Sequence, residues 1–356
     1  MVVNALVVGE SGELPLPWLA DPLARALASQ RGHATLLHGA TGVGALEFAL
    51  VVGQAWLCEA SAPGSPYAPP CGRCGSCRLV QSHGHPDMLV LMPETLRREK
   101  NWPLVDDKAE GDDSKRKPSR QIRIDETRSL VDWVYKTSSR GRGKVVVLHP
   151  AEALNAHAAN ALLKTLEEPP AGTRLLLTAG DPSLLLPTVR SRCQSLVLPA
   201  PLADVAEAWL AAQGVQAPDV LLAACSGRPL DALALSRAGV TAEVWAALPQ
   251  AVARAQVAAF AGWPMPLVLD ALHKLCHDAM ARAAGAPTRF FAQDRVPAEA
   301  DLNQLMVWQR ELARLARHDE HPWNEGLLLD AIVTAGATAL KGPGRRARQR
   351  LDTLPA

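Results

Sequence analysis

The stretch Gly32-His-Ala34-Thr-Leu-Leu-His38-Gly39-Ala-Thr-Gly42-Val-Gly44-Ala45-Leu46 decides how the chain is read. Ala34 to His38 is short and apolar, which predicts a buried strand. It runs directly into a loop with glycine at Gly39, Gly42 and Gly44. Leu46, Ala49, Leu50, Gly53 and Leu57 then recur at helical spacing. Strand, glycine-rich loop and helix is the context a phosphate-binding loop requires, because glycines let backbone N–H groups approach a phosphate at the helix N-terminus. The glycines stand where G-x-x-x-x-G-K-[ST] wants them, but Ala45 replaces the lysine and Leu46 the Ser/Thr. Such a loop lacks the ammonium for the β- and γ-phosphates and one Mg²⁺ ligand. A tight strand-to-helix turn is the alternative reading.

Working outward, Leu19, Leu23 and Leu27 predict a helix before this strand, ending near Arg31-Gly32. Beyond it, Met88 to Met92, Lys144 to Leu148 and Leu175 to Thr178 read as buried strands, and Asp125 to Tyr135 as a helix. Asn160 to Pro170 reads as an amphipathic helix with Leu162, Leu163 and Leu166 on one face, stopped by two prolines. After the last of these strands, Asp181-Pro182 makes a turn and Leu184 to Leu186 starts a short helical segment. The chain then presents Arg190 and Arg192 close together on a loop, within Ser191-Arg192-Cys193. In a nucleotide-binding α/β domain the Lys144 to Leu148 strand would end in carboxylates, yet it ends in His149-Pro150, with Glu152 two residues further on.

Cys58 is followed by Cys71-Gly-Arg-Cys74-Gly-Ser-Cys77, two overlapping C-x-x-C units whose glycines allow sharp turns. Four thiolates from Cys58, Cys71, Cys74 and Cys77 fit a closed tetrahedral Zn²⁺ site with a structural role, since no position is left open for a substrate. A [4Fe–4S] cluster or unrelated buried thiols are the alternatives, and His83 and His85 are alternative fourth ligands. Cys193, Cys225 and Cys276 are isolated and read as small core residues.

Residues 94–120 are charged and broken by Pro103, Gly111 and Pro118, which predicts a solvated, mobile loop. Arg140-Gly-Arg-Gly-Lys144 is a basic turn that could touch DNA phosphates, with a solvated turn as the bland alternative. From Pro199 onward the pattern is alanine- and leucine-rich and helical: 202–212, 220–225, 229–237, 244–260, 264–283, 302–317 and 326–340, closed by a basic tail at 341–350.

The 356 residues suffice for two or three domains, and 48% apolar with 21% charged residues is ordinary for a soluble protein. A net charge of +1 argues against a strongly basic nucleic-acid binder. No apolar run approaches the ~20 residues that cross a bilayer. The opening Met-Val-Val-Asn-Ala-Leu-Val-Val lacks the basic region of a signal peptide, so a cytoplasmic location is expected and the seven cysteines are thiols or metal ligands.

Gly32 to Gly39, the four-cysteine insertion, Asn160-Ala-Leu-Leu-Lys-Thr-Leu-Glu-Glu-Pro-Pro170 and Ser191-Arg192-Cys193 together resemble the bacterial clamp-loader branch of the AAA+ proteins, over about residues 15–235. The resemblance implies an α/β AAA+ domain over 1–199 with a zinc module at 58–77, a helical lid over 200–240 and an all-α oligomerisation collar over 241–356. It also implies partners: gamma/tau and delta subunits, and through them a sliding clamp and primer-template DNA. An active ATPase of this family would carry a loop Lys and Ser/Thr, an Asp-Glu pair, a polar sensor and a lid arginine. This chain has Ala45 and Leu46, His149 and Pro150, Ala179 and Gly180, and Leu230 at the matching positions. Phosphoryl transfer needs these groups together, so the set implies a subunit that does not hydrolyse ATP. What remains is Arg192, which the resemblance directs in trans at the ATP of an adjacent subunit. The rival readings are an active gamma/tau-type ATPase and a zinc protein that binds DNA through Arg140 to Lys144 and the tail.

Overall fold

The computed structural model describes residues 6–29, 32–60, 68–103, 117–317 and 324–341. The basic tail beyond Lys341 lies outside the described residues. The chain divides into two compact units, residues 1–201 and 202–356.

The first unit opens with a 3-10 turn over Pro17–Leu19 and helix α1, Ala20–Ser29. Strand β1 is Ala34–His38, and α2, Ala45–Leu57, follows the glycine loop. Then come α3 (Gly75–Gln81), β2 (Met88–Leu91), α4 (Glu94–Glu99), α5 (Ile124–Val134), β3 (Lys144–Leu148), α6 (Ala156–Glu167), β4 (Thr173–Ala179), α7 (Pro187–Arg190) and β5 (Gln194–Val197). The strands form one parallel sheet in the order β2-β3-β4-β1-β5. Parallel pairing requires crossovers, so the sheet is covered on its faces and its inner strands are apolar on both sides. Leu36, Val146, Leu148, Leu175 and Leu177 pack with Leu130 and Val134 of α5 and Leu162 and Leu166 of α6. Helix α2 is buried along nearly its whole length; even Gln54 is enclosed, bonded at both ends of its amide to the backbone of Val8.

Two differences from the sequence reading have plain causes. Strand β5 escapes the search for apolar runs because it is a mostly exposed edge strand that begins Gln194-Ser195. The stretch expected as a loop from residue 94 instead starts with α4. Glu94 there accepts from Arg98, Arg123 and the Ser119 N–H, so charged residues hold the element through ion pairs where they cannot bury it. Residues 104–116 of that stretch lie outside the described residues.

The second unit is helical among its described residues: α8 (Ala203–Ala212), α9 (Pro218–Ala224), α10 (Pro229–Arg237), α11 (Ala242–Ala253), α12 (Met265–Ala283), α13 (Leu302–Ala316) and α14 (Glu325–Leu340). The helix expected over 244–260 ends early, because Ala255 turns left-handed (φ 55°) and a 3-10 turn takes over at Val257–Phe260. Helix α9 packs on α11. Trp308 is buried against Gly336, where an added Cβ would lie 2.5 Å from its ring.

Candidate functional site

Three features of the first unit bear on function. The first is the corner at the C-terminal edge of the sheet, where open parallel sheets place ligands. Gly39 follows β1 and donates its N–H to Ala179 O at the end of β4 (3.2 Å), and a Cβ there would meet Leu198 O at 2.3 Å. Gly44 caps α2 in the left-handed region (φ 97°), with Leu16 Cδ1 2.3 Å from where its Cβ would be. Trp18 Nε1 donates to Val43 O (2.8 Å), and Leu16, Val43 and Leu46 are all buried. The loop glycines are therefore also demanded by an apolar segment that closes over them. Gly42 is left-handed as well (φ 73°), and Ala45 begins α2.

At the tip of β3 the imidazole of His149 is bonded to Thr178 Oγ1 (2.6 Å), and burial pushes its pKa down to about 4, so it is neutral. Pro150 follows in a bond that offers no N–H. Glu152 sits in a 3-10 turn, Ala151–Ala153. Its Oε1 accepts the N–H groups of Gly180 (2.5 Å) and Asp181 (3.0 Å), and its Oε2 is buried with no hydrogen-bond partner among the described residues. Nothing local in the sequence marks Glu152, because the loop it holds lies 28 residues away. Glu47, in the first turn of α2, is a buried carboxyl whose pKa burial raises. Ala45, Leu46, His149, Pro150, Ala179 and Gly180 thus bring no positive charge to a place where a triphosphate would need it. Leu230 lies in the first turn of α10 in the second unit, partly exposed.

The second feature is the cysteine cluster. Cys58 caps the end of α2, and Cys74 caps the start of α3, which carries Cys77. The four sulfurs of Cys58, Cys71, Cys74 and Cys77 lie within 4.8 Å of one another, and those of Cys58 and Cys74 are 3.9 Å apart. Tetrahedral coordination with bonds of about 2.3 Å sets ligand sulfurs at about 3.8 Å, so the cluster fits a metal ion. Backbone N–H groups of Glu59, Cys71, Cys74 and Cys77 already point at these sulfurs, each 3.4 Å away. Burial pushes the Cys58 and Cys77 thiols up. Cys71, against the same burial, is brought down to about 6 by the N–H groups of Arg73 and Cys74. Four neighbouring thiolates without a cation would repel one another, and a divalent ion removes that conflict. His83 and His85 are outside the cluster: His83 stacks on Trp102 and His85 Nδ1 accepts from the Asp87 N–H.

The basic turn is bound to this module. Arg140 donates to Glu59 Oε1 (2.5 Å through Nη2) and to Ser76 Oγ (2.9 Å), and Arg142 reaches Glu59 O (3.4 Å). Arg140 holds the Glu59 carboxyl below its usual range. Asp87, fully buried, accepts the N–H groups of Ser139 and Arg140. Lys144 is itself buried, its ammonium over the Trp133 ring and donating to Trp133 O.

The third feature is the Arg192 tip. Helix α7 ends at Arg190, Ser191 caps it, and Arg192 precedes β5. Both Nε (2.6 Å) and Nη2 of Arg192 donate to Glu167 Oε1, at the end of α6, and Nη1 donates to Thr188 O (2.8 Å). The Arg192 side chain is 31% exposed and that of Glu167 47%. Arg190 is exposed, and its side chain has no hydrogen bond or ion pair among the described residues. Cys193 packs against the core, where burial pushes its thiol up to about 11.

Residues 19–201 match the protein family described as "DNA polymerase III, delta subunit". The chain is 37% identical over 254 residues to DNA polymerase III subunit delta' of Pseudomonas aeruginosa, covering 68% of this chain and 70% of that protein. With DNA polymerase III subunit delta' of Escherichia coli K12 the identity is 30% over 280 residues, 72% and 76% of the two chains. With subunit tau of the same organism it is 31% over 161 residues, 45% of this chain but only 20% of tau.

Proposed function

The chain belongs to the DNA polymerase III delta-prime subunit family, and from that premise we propose that it is the non-hydrolysing subunit of a clamp loader, supplying Arg192 to the ATP site of a neighbour. The observation that carries this reading is a contrast within the chain. Every position matched to a phosphoryl-transfer group holds an apolar residue, a glycine, a proline or a neutral histidine, while an arginine stays at the surface beside an edge strand. Without the loop lysine, the carboxylate pair and the sensor, the corner has neither the cation that neutralises the phosphates nor the paired carboxylates that hold Mg²⁺ in an active site. A guanidinium delivered from a second subunit, by contrast, stabilises charge that develops on another chain's nucleotide.

On this reading the nucleotide is bound and hydrolysed by gamma/tau subunits, delta is a further partner, and the assembled complex acts on a sliding clamp and primer-template DNA in the cytoplasm. Helices α11 to α14 form the oligomerisation collar. Cys58, Cys71, Cys74 and Cys77 hold one Zn²⁺, which fixes α2, α3 and the Arg140 turn and supplies no reaction step. The rival reading of Arg140 to Lys144 as a DNA-phosphate contact loses support, because Arg140 is paired with Glu59 and Lys144 is buried. No helix among the described residues is long and apolar enough to cross a membrane.

The test is ATP turnover by the purified chain alone. No steady hydrolysis is expected; hydrolysis abolished by substitution at Ala45 or Leu46 would return the chain to the active-ATPase class.

A further inference from the structure

The geometry points to Glu167 as an intramolecular cap on Arg192, an ion pair that the neighbouring subunit's nucleotide phosphate must displace; this rests on the trans role proposed above. The guanidinium has five N–H donors. Three of its nitrogens are already engaged within the chain: Nε and Nη2 on a single carboxylate oxygen of Glu167, and Nη1 on the carbonyl of Thr188, with Ser191 Oγ 3.5 Å away. A bidentate grip on a phosphate uses two parallel N–H groups of the fork, and the Nε–Nη2 edge that would make it is the edge Glu167 covers. The carboxylate is an anion in the place a phosphate oxygen would take. Both cannot hold that edge, and a phosphate beside an ionised Glu167 is repelled.

The pair is suited to exchange rather than permanence. Glu167 is the last residue of α6, with its carboxylate nearly half exposed, whereas a pair serving the fold would be enclosed. Arg190, two residues away, provides an internal reference because it is exposed and has no such partner among the described residues. The rest of the arm is fixed independently of the pair. Arg192 N donates to Val189 O, Cys193 N to Arg190 O, and Val189 and Leu185 are buried in the core. Glu167 therefore governs how the guanidinium is presented and not whether the arm is formed.

The first measurement uses the full chain alone. Arginine-selective dicarbonyl labelling, mapped by mass spectrometry, is expected to modify Arg190 several-fold faster than Arg192. In Glu167→Gln the Arg192 rate rises severalfold and the Arg190 rate stays the same. Equal rates in the unsubstituted chain, or no change in Glu167→Gln, would overturn the cap, whatever Arg192 does in a complex. The second uses the reconstituted complex with its ATPase partner. Glu167→Gln and Glu167→Ala are both expected to lower the ATP concentration at half-maximal hydrolysis by roughly two- to fivefold, with the maximal rate maintained. A lower maximal rate in both variants would overturn the cap and make Glu167 a brace that arginine needs. Arg192→Ala run alongside separates the failures: if it leaves turnover unchanged, the trans role falls while the labelling result still decides the pair.

Discussion

At the residue scale, the glycine loop shows how a motif outlives its chemistry. A Cβ at Gly44 would collide with Leu16 and would also have to adopt φ 97°, so packing and backbone conformation call for glycine here whatever stands at Ala45 and Leu46. We expect Gly44→Ala to destabilise the fold by about 1–3 kcal/mol in denaturant unfolding. In the double variant with Leu16→Ala the two effects should add to less than their sum, since removing the leucine relieves the clash; strict additivity would contradict the packing explanation. His149 gives a second prediction. Burial holds it at about 4 in the fold against ~6.5 unfolded, so the unfolded chain takes up the proton first. Its contribution is complete above about pH 6.5 and drains away as pH falls toward 4. Unfolding free energy of His149→Gln should therefore fall less between pH 7 and 4.5 than that of the unsubstituted chain, by about 2 kcal/mol; parallel profiles would show the histidine to be solvated. That Ala45, Leu46, His149 and Pro150 carry neither a cation nor a carboxylate is read directly from the sequence, because a motif fixes where its chemical residues would stand. The partners of Glu152 and Arg192 are not, because they lie 28 and 25 residues away and depend on how strand ends meet.

At the scale of elements, the cysteine spacing announced its cluster directly, since two C-x-x-C turns and a helix end converge without help from the rest of the chain. What it could not reveal is that the same module grips the basic turn through Glu59 and Ser76. Elemental analysis is expected to find one zinc per chain, and iron with visible absorbance would contradict that. The ion should be lost on acidification, because protons compete for the ligand sulfurs. Chelation, by freeing Glu59, should speed tryptic cleavage after Arg140 and Arg142 while leaving most of the sheet protected; unchanged cleavage would mean that the turn does not depend on the metal. Inner strands β1, β3 and β4 were legible as apolar runs. Strand β5 was not, because this edge strand begins Gln194-Ser195 and exposes most of its side chains. Helix α4 was hidden for a related reason: its order comes from ion pairs around Glu94, which composition alone reads as solvated charge.

At the scale of the molecule, the chain divides into two compact units after Pro201, and the described elements beyond that point are helical. On the proposed function, the nucleotide corner of this chain supplies no catalytic group and its Arg192 acts on the ATP of another subunit. The most direct test is ATP hydrolysis by the reconstituted, DNA-stimulated complex with Arg192→Ala in this subunit. Assembly should stay intact while turnover at the site that Arg192 serves drops roughly 10³-fold; undiminished hydrolysis by an intact complex would rule out the trans role.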